Sequence, residues 1–462
     1  MALTHRRGFL RQSGLAAAGL PFWSSSLFSQ LARKIKITEI EAHEVLPPYH
    51  DYHAEWLFRY QGLHSRLRTI YIVKTDAGIE GYGENWGSPW SDFKDYVGTS
   101  PFDWINDPRN LPMNMAVYDL MGKALGLPAW KLIGPRVRSW VPIAAWTMSQ
   151  PPRQMAEEVR QLSKRGYRWM KYHVDVLQNV VDQTAAMQEA APRGFRVQYD
   201  FNEDSNFEAV YPVLKELERF PIAGRIEDPI RSIDQDGYRL LREKCAIPIL
   251  IHHGPAEVFM RKGLSDGFMS SHAGIGSARK LAAMAESTNT PFLLQMAGGT
   301  INQAFLAHQA AVYPMASLDH VSLCNLWAED VTVESMPVVG GSVAVPKGPG
   351  LGVRIDRKKL ERLARAHRPK QTRFLVWVRY RPGPHLYFRY DPDAEGANIK
   401  FLSPPGFGRR YSGHGPHVPG PVPGYANPVE TDFWDEVGTA EFERMWKRTE
   451  DGPVWTEVES GE

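Results

Sequence analysis

Between Val141 and Leu323 a short apolar run alternates with a helical pattern, eight times over without interruption. The apolar runs are Val141–Thr147, Trp169–Val174, Arg196–Phe201, Gly224–Pro229, Ile247–His253, Asp266–Ser271, Pro291–Met296 and Ser317–Leu323. Helical patterns fall between them at Met155–Lys164, Phe207–Arg219, Ser277–Ser287 and Gln303–Val312, among others. Eight strands with crossover helices in one series predict a closed parallel barrel. Chemistry in such a barrel gathers at the C-terminal ends of the strands.

The flanks read differently. Ile35–Ile40, Thr69–Thr75 and Gly81–Glu84 are extended, with a turn at Asp76-Ala77-Gly78, and predict an antiparallel meander. A helix is expected over Met113–Leu125. Beyond Ala366, Phe374–Tyr380 and Leu386–Tyr390 predict a hairpin, Ser403–Pro428 is rich in Pro and Gly, and a short helix is expected over Thr439–Lys447. This tail reads as a linker and peripheral appendage. At the other end Arg6-Arg7, Phe9-Leu10 and Arg11 precede a short, weakly apolar stretch, Ser13–Leu20. The pattern resembles a twin-arginine export signal, which places the protein outside the cytoplasm; the plainer alternative is a frayed basic helix.

Composition removes several classes of function. A formal net charge of +2 over 462 residues shows no bias toward nucleic acid or acidic membranes. Two cysteines, Cys245 and Cys324, exclude a disulfide scaffold and a cysteine-based zinc site. No apolar run reaches the roughly 18 residues of a membrane span, so no stable anchor is expected.

The ends of successive barrel strands carry Lys171-Tyr172-His173, Asp200-Phe201-Asn202, Glu227-Asp228-Pro229 and His252-His253-Gly254. Alternation places Lys171 with His173, and Asp200 with Asn202, on one face. Asp200, Glu227 and His253 are each about one strand–helix unit apart and so are neighbours round the rim. Adjacent carboxylates repel unless a cation lies between them. Oxygen ligands favour Mg2+, while the imidazole moves the preference toward Mn2+, iron or Zn2+. Each of these groups by itself would read as a salt-bridge partner, a helix cap or a solvated rim residue; their joint occurrence is what points to a metal.

These motifs resemble the enolase superfamily, in its mandelate racemase and muconate lactonizing enzyme branch. The residues that carry the resemblance are Thr75–Gly78 with Gly81–Glu84, Asp119–Pro128 within Asn114–Gly134, Gly166-Tyr167 leading to Lys171, Asp200-x-Asn202, Ile226–Pro229, and Pro346–Gly352. The resemblance covers about seven-tenths of the chain and implies an α+β capping domain (35–138), a modified (β/α)7β TIM-like barrel with the metal and active site (139–335) and a return to the capping domain (336–368). The export signal (1–34) precedes these, and the Pro/Gly-rich extension (369–462) follows. It also implies a homo-oligomer, and a reaction that opens by abstracting the proton alpha to a carboxylate. Asp200 and Glu227 correspond to metal ligands, and Lys171 to the first lysine of a Lys-x-Lys pair.

Four positions depart from that pattern. His173 replaces the second lysine. The third metal ligand falls on His253. The sixth strand ends in Ser270-Ser271-His272, without the expected Asp, and the seventh carries Leu294-Gln295-Met296 in place of the expected His. His173 remains competent as a base near neutral pH. A racemase needs a second base on the other face, and none is evident. The leading expectation is a sugar-acid dehydratase or lyase working through Lys171 and His173. The alternatives are a non-catalytic or diverged carbohydrate- or carboxylate-binding protein, and a racemase, epimerase or cycloisomerase. His272 is either a substitute for the missing dyad or a rim residue with no role. The polar and aromatic segment Tyr49–Tyr60 occupies the family's specificity loop, so His53 and Trp56, with Asn202, His272 and Gln295, are candidate substrate contacts; an ordinary surface loop is the alternative.

Overall fold

The computed structural model describes residues 35–59, 67–90, 93–175, 178–203, 205–367, 372–381, 383–391, 426 and 428–456. The export motif and nearly all of Ser403–Pro428 lie outside the described residues.

The capping domain begins with an antiparallel sheet of β1 (Ile37–Val45), β2 (Arg68–Thr75) and β3 (Glu80–Trp86). Helix α1 (Asp51–Arg59) interrupts it where the sequence suggests a loop. Helix α2 (Leu111–Leu125) packs on the sheet and is buried along most of its length, which explains its weak polar face. At Gly122 an added Cβ would lie 2.5 Å from the Cα of Gly350, so the return segment can cross this helix only where neither chain has a side chain. Buried Asp119 joins three parts of the domain. It accepts from Tyr82 N at 3.1 Å, from Lys123 Nζ at 2.7 Å and from Leu351 N at 2.8 Å.

The barrel follows as β4 (Trp140–Met148), α3 (Pro152–Lys164), β5 (Trp169–His173), α4 (Val180–Ala190), β6 (Arg196–Asp200), α5 (Phe207–Leu217), β7 (Ala223–Glu227), α6 (Gln235–Lys244), β8 (Ile249–Ile251), α7 (Ala256–Lys262), β9 (Gly267–Ser271), α8 (Ile275–Thr288), β10 (Phe292–Gln295), α9 (Thr300–Ala310) and β11 (His320–Val321). Neighbouring strands pair in parallel, and β11 closes on β4. Eight strands with seven intervening helices give the (β/α)7β architecture. Strand β12 (Ser342–Ala344) pairs antiparallel with the start of β4, and α10 (Arg357–Ala364) returns to the capping domain.

Alternation along the strands produces two layers of core. Trp146, Met148, Leu250, Met269, Leu293 and Val321 fill the inside of the barrel. Ile143, Ile249, Ile251, Phe268, Phe292 and Leu294 join the larger core under the helices. This phase decides which side chain at each strand end faces the centre.

The tail contains more than the expected hairpin. Strands β13 (Phe374–Tyr380), β14 (His385–Tyr390), β15 (Val429–Trp434) and β16 (Val454–Thr456) form an antiparallel sheet in the order β15-β13-β14-β16, accompanied by α11 (Ala440–Arg448). One face buries Phe374, Val376, Val378, Leu386 and Phe388 against Trp56 of α1. The tail is therefore docked on the rest of the molecule at this face. No helix among the described residues is long and apolar enough to cross a membrane.

Candidate active site

The C-terminal ends of β5 to β8 and β10 converge on one buried cluster. Lys171 Nζ lies 3.0 Å from Asp200 Oδ2, 2.8 Å from Glu227 and 2.8 Å from Gln295 Oε1. His173 Nε2 is 3.2 Å from the same Asp200 oxygen. Gln198 Nε2 donates to Glu227 Oε2 at 2.8 Å, and Asn202 N donates to Asp200 Oδ1 at 2.9 Å. Trp146, from β4, meets the His173 ring edge-on at 5.2 Å.

Burial acts to lower the Lys171 pKa, but the charges of Asp200 and Glu227 outweigh it and hold the ammonium above its ordinary range. Asp200 is shifted up by burial and by the neighbouring Glu227 charge, against the pull of Lys171. One ammonium thus faces two carboxylates, which leaves an uncompensated negative charge in a buried place.

The imidazole that joins Asp200 and Glu227 is His252, where the sequence pointed to His253. Asp200, Glu227 and His252 each offer a ligand atom, all within 4.8 Å of one another. His252 Nδ1 is buried without a hydrogen bond, although Glu227 Oε1 is 3.0 Å away. Burial and the Lys171 charge keep the His252 pKa well below its usual value, so the ring is neutral and its nitrogen is a lone-pair donor. Two carboxylates, a neutral imidazole and a net negative charge fit a divalent cation. His253 turns away. Its Nδ1 lies 2.5 Å from Asp228 Oδ2, and Asp228 also accepts from His252 N at 2.8 Å and His253 N at 3.1 Å. Regular pairing ends at Ile251, so both histidines lie in the turn beyond β8, where Glu227 lies beside the His252 ring and Asp228 beside the His253 ring. A second grouping of Asp228, His252 and His253 shares the His252 ring.

The remaining expected contacts divide. Gln295 belongs to the cluster. Asn202 is buried, has a positive φ of 54° and bonds back to Asp200 through both its N–H and its side-chain amide. It orients the Asp200 carboxylate. His53 does not line the site: it is buried, with Nδ1 at 2.8 Å from Glu158 and Nε2 at 3.0 Å from Leu326 O, and it locks α1 to the barrel. Trp56 stacks on Phe433 of the tail sheet at 5.0 Å. These two corrections share a physical reason, because segment 51–59 is a helix whose polar and aromatic residues satisfy tertiary partners. His272 is exposed on the rim with a positive φ of 49°, outside the buried cluster. Trp146, Gln198 and Asp228 were not singled out beforehand; the inward phase of β4 and β6 was the available signal for the first two.

A barrel with buried carboxylates, a lysine and imidazoles at successive strand ends, under an antiparallel capping sheet, defines an α/β-barrel protein with an enzyme-type rim. Residues 154–359 match the family described as Enolase C-terminal domain-like. An isomerase from Streptomyces coelicolor A3(2) superposes with a TM-score of 0.58 at 27% identity, covering 71% of this chain and 97% of that one. The D-galactonate dehydratase of Variovorax paradoxus (strain S110) is 26% identical, covering 57% of this chain and 75% of that protein. The D-gluconate dehydratase of Thermoproteus tenax is 25% identical, covering 54% of this chain and 55% of that protein. Residues 154–359 thus carry the match to the enolase superfamily, and the fold of the capping domain and barrel is that of its mandelate racemase and muconate lactonizing enzyme branch. Members of this superfamily generally bind a divalent metal, Mg2+.

Proposed function

We propose that the protein is a divalent-metal-dependent lyase that dehydrates a sugar acid, beginning with removal of the proton alpha to its carboxylate. The observation that carries this reading is the convergence of Lys171, His173, Asp200, Glu227 and His252 at four successive strand ends. Asp200, Glu227 and His252 would hold the cation, with Mg2+ first by family and Mn2+ or Zn2+ favoured by the imidazole. Bound there, it would offset the negative charge that develops on the substrate carboxylate.

Lys171, held between the two carboxylates, is placed as a hydrogen-bond donor toward the substrate. Proton removal then falls to His173, whose ring is steered by Asp200 and Trp146. Gln295 occupies the seventh strand end, and an amide takes no proton. That favours a lyase over a racemase, which needs a base on each side. Similarity to two sugar-acid dehydratases supports the substrate class.

The test is loss of the alpha proton to D2O, followed by NMR over a sugar-acid panel that includes D-gluconate and D-galactonate, with Mg2+, Mn2+ and Zn2+ in turn. Metal-dependent exchange with loss of water is expected. Absence of exchange under every condition, with sugar acids still bound equally well by the His173→Ala protein, would sink the proposal and favour a non-catalytic binding protein. The twin-arginine motif supports export as the location, which fractionation of cells expressing Arg6→Lys/Arg7→Lys protein checks.

A further inference from the structure

The tail sheet lies outside the capping domain and barrel of the family fold. The Streptomyces coelicolor isomerase is covered almost end to end, yet more than a quarter of this chain has no counterpart in it. The tail meets the barrel and the capping domain at two places that matter for the site.

The first is the start of α4, Gln178–Asp182, in the connection that follows β5. Gln178 is buried and donates its side-chain amide to Thr431 O at 3.0 Å. Asn179 caps α4 by accepting from Val181 N at 2.9 Å and Asp182 N at 3.2 Å, while its amide donates to Ala426 O at 3.3 Å. Asp182, in the first turn of the same helix, pairs with Arg381. The second place is α1. Trp56 stacks on Phe433, and Arg153 of α3 reaches Asp432 at 3.1 Å. On its other side α1 inserts Leu57 into the inner barrel cluster with Trp146, Leu326 and Trp327. Trp146 is the ring that seats His173.

We infer that the tail sheet is a positioning element of the active site, which clamps the start of α4 (Gln178–Asp182) and α1 over the barrel mouth and so sets how tightly a polyhydroxylated carboxylate is held. A chain that only trailed from the barrel would need no buried side-chain donor directed to its backbone. It would also need no aromatic stack on α1. The mechanical part of this inference stands on geometry alone; its catalytic part rests on the dehydratase reading given above.

The experiment combines Gln178→Ala with Phe433→Ala in the full-length protein. Hydrogen–deuterium exchange read by mass spectrometry should show peptides over 172–185 and 50–59 exchanging about ten-fold faster, with α8 peptides unchanged. With D-gluconate or D-galactonate as probe, KM should rise about ten-fold while kcat stays within about three-fold, because remote grip is lost and the reacting groups are kept. Gln178→Ala with Phe433→Tyr should recover most of the KM, since the ring stack returns. Should the double variant fail to fold, Gln178→Ala alone, which removes one hydrogen bond, provides the same peptide readout. Unchanged protection of the 172–185 peptides overturns the inference while leaving the dehydratase reading intact. Faster exchange with unaltered KM overturns its catalytic half. If the parent protein turns over no sugar acid, the dehydratase reading fails, and the peptide exchange still decides the clamp.

Discussion

His252 and His253 are adjacent in sequence and their rings lie 4.0 Å apart, yet they meet different carboxylates. His252 shares a buried space with Asp200 and Glu227, and His253 pairs with Asp228. Isothermal titration with Mn2+ should therefore separate them. His252→Ala is expected to weaken binding by about 100-fold as a lost ligand, and His253→Ala by about ten-fold, as a residue that braces the backbone of its neighbour. Equal losses would argue against the assignment. At the base, His173→Asn keeps the ring's volume roughly and removes its basicity. Exchange of the alpha proton should fall by about 100-fold or more with Mn2+ affinity within about three-fold of the parent.

Helices and strands carry their own titrations. His308 of α9 is buried, accepts from Trp130 N at 3.3 Å and donates to Leu351 O at 3.2 Å, a pattern only the neutral ring can satisfy. Burial lowers its pKa from 6.5 to about 4. A folded-state pKa below the unfolded one gives stability that is present above the unfolded value and is lost as pH falls. The window is thus from about 6.5 down to about 4, with a loss of up to about 3 kcal/mol. Urea midpoints across that range should fall with acidity, and His308→Gln should flatten the slope by close to one proton. His320 of β11 is arranged alike: its Nδ1 accepts from Leu294 N at 2.9 Å, and burial lowers its pKa to about 3. It continues the decline in the His308→Gln variant. In α2, Gly122→Ala would drive a Cβ into the backbone of Gly350. Its thermal midpoint should drop by an amount equivalent to about 1–3 kcal/mol, the range for overpacking.

On the scale of the whole molecule, capping domain and barrel meet at a buried ion cluster. Arg68 of β2 pairs with Glu84 of β3 and, at 2.9 Å, with Asp330. Burial opposes the charge on Arg68, but Asp330 and Glu84 hold it protonated. Glu84 Oε1 accepts from Gly299 N at 2.9 Å and Asn302 N at 2.7 Å, and Asp330 Oδ2 from Thr300 N at 2.6 Å. These carboxylates occupy the N-terminus of α9, where the helix dipole favours negative charge. Arg68→Met would strand the buried Glu84 and the part-buried Asp330, at a cost of about 3–5 kcal/mol by the usual penalty for breaking a buried pair. Chemical denaturation should show that loss. A change below about 1 kcal/mol would mean that the cluster does not join the domains as described.

Local pattern was enough to establish the barrel, the capping sheet and the carboxylates of the site. Alternating apolar runs and helical spacings depend on near neighbours in the chain, and Asp200, Glu227 and Lys171 sit at strand ends that this alternation marks. Packing in three dimensions decided the rest. Strand β8 ends at Ile251, so His252 and His253 lie in a turn whose course strand alternation does not give. His53 and Trp56 have the chemistry of sugar contacts, yet Glu158 and Phe433, more than a hundred residues away in the chain, take them up. The tail looked peripheral because its hairpin is locally complete. Only the pairing of β15 with β13, and of Gln178 with Thr431, turns it into a sheet that meets the barrel mouth. Contacts between segments distant in sequence leave no periodic signal, so the structure alone could reveal them.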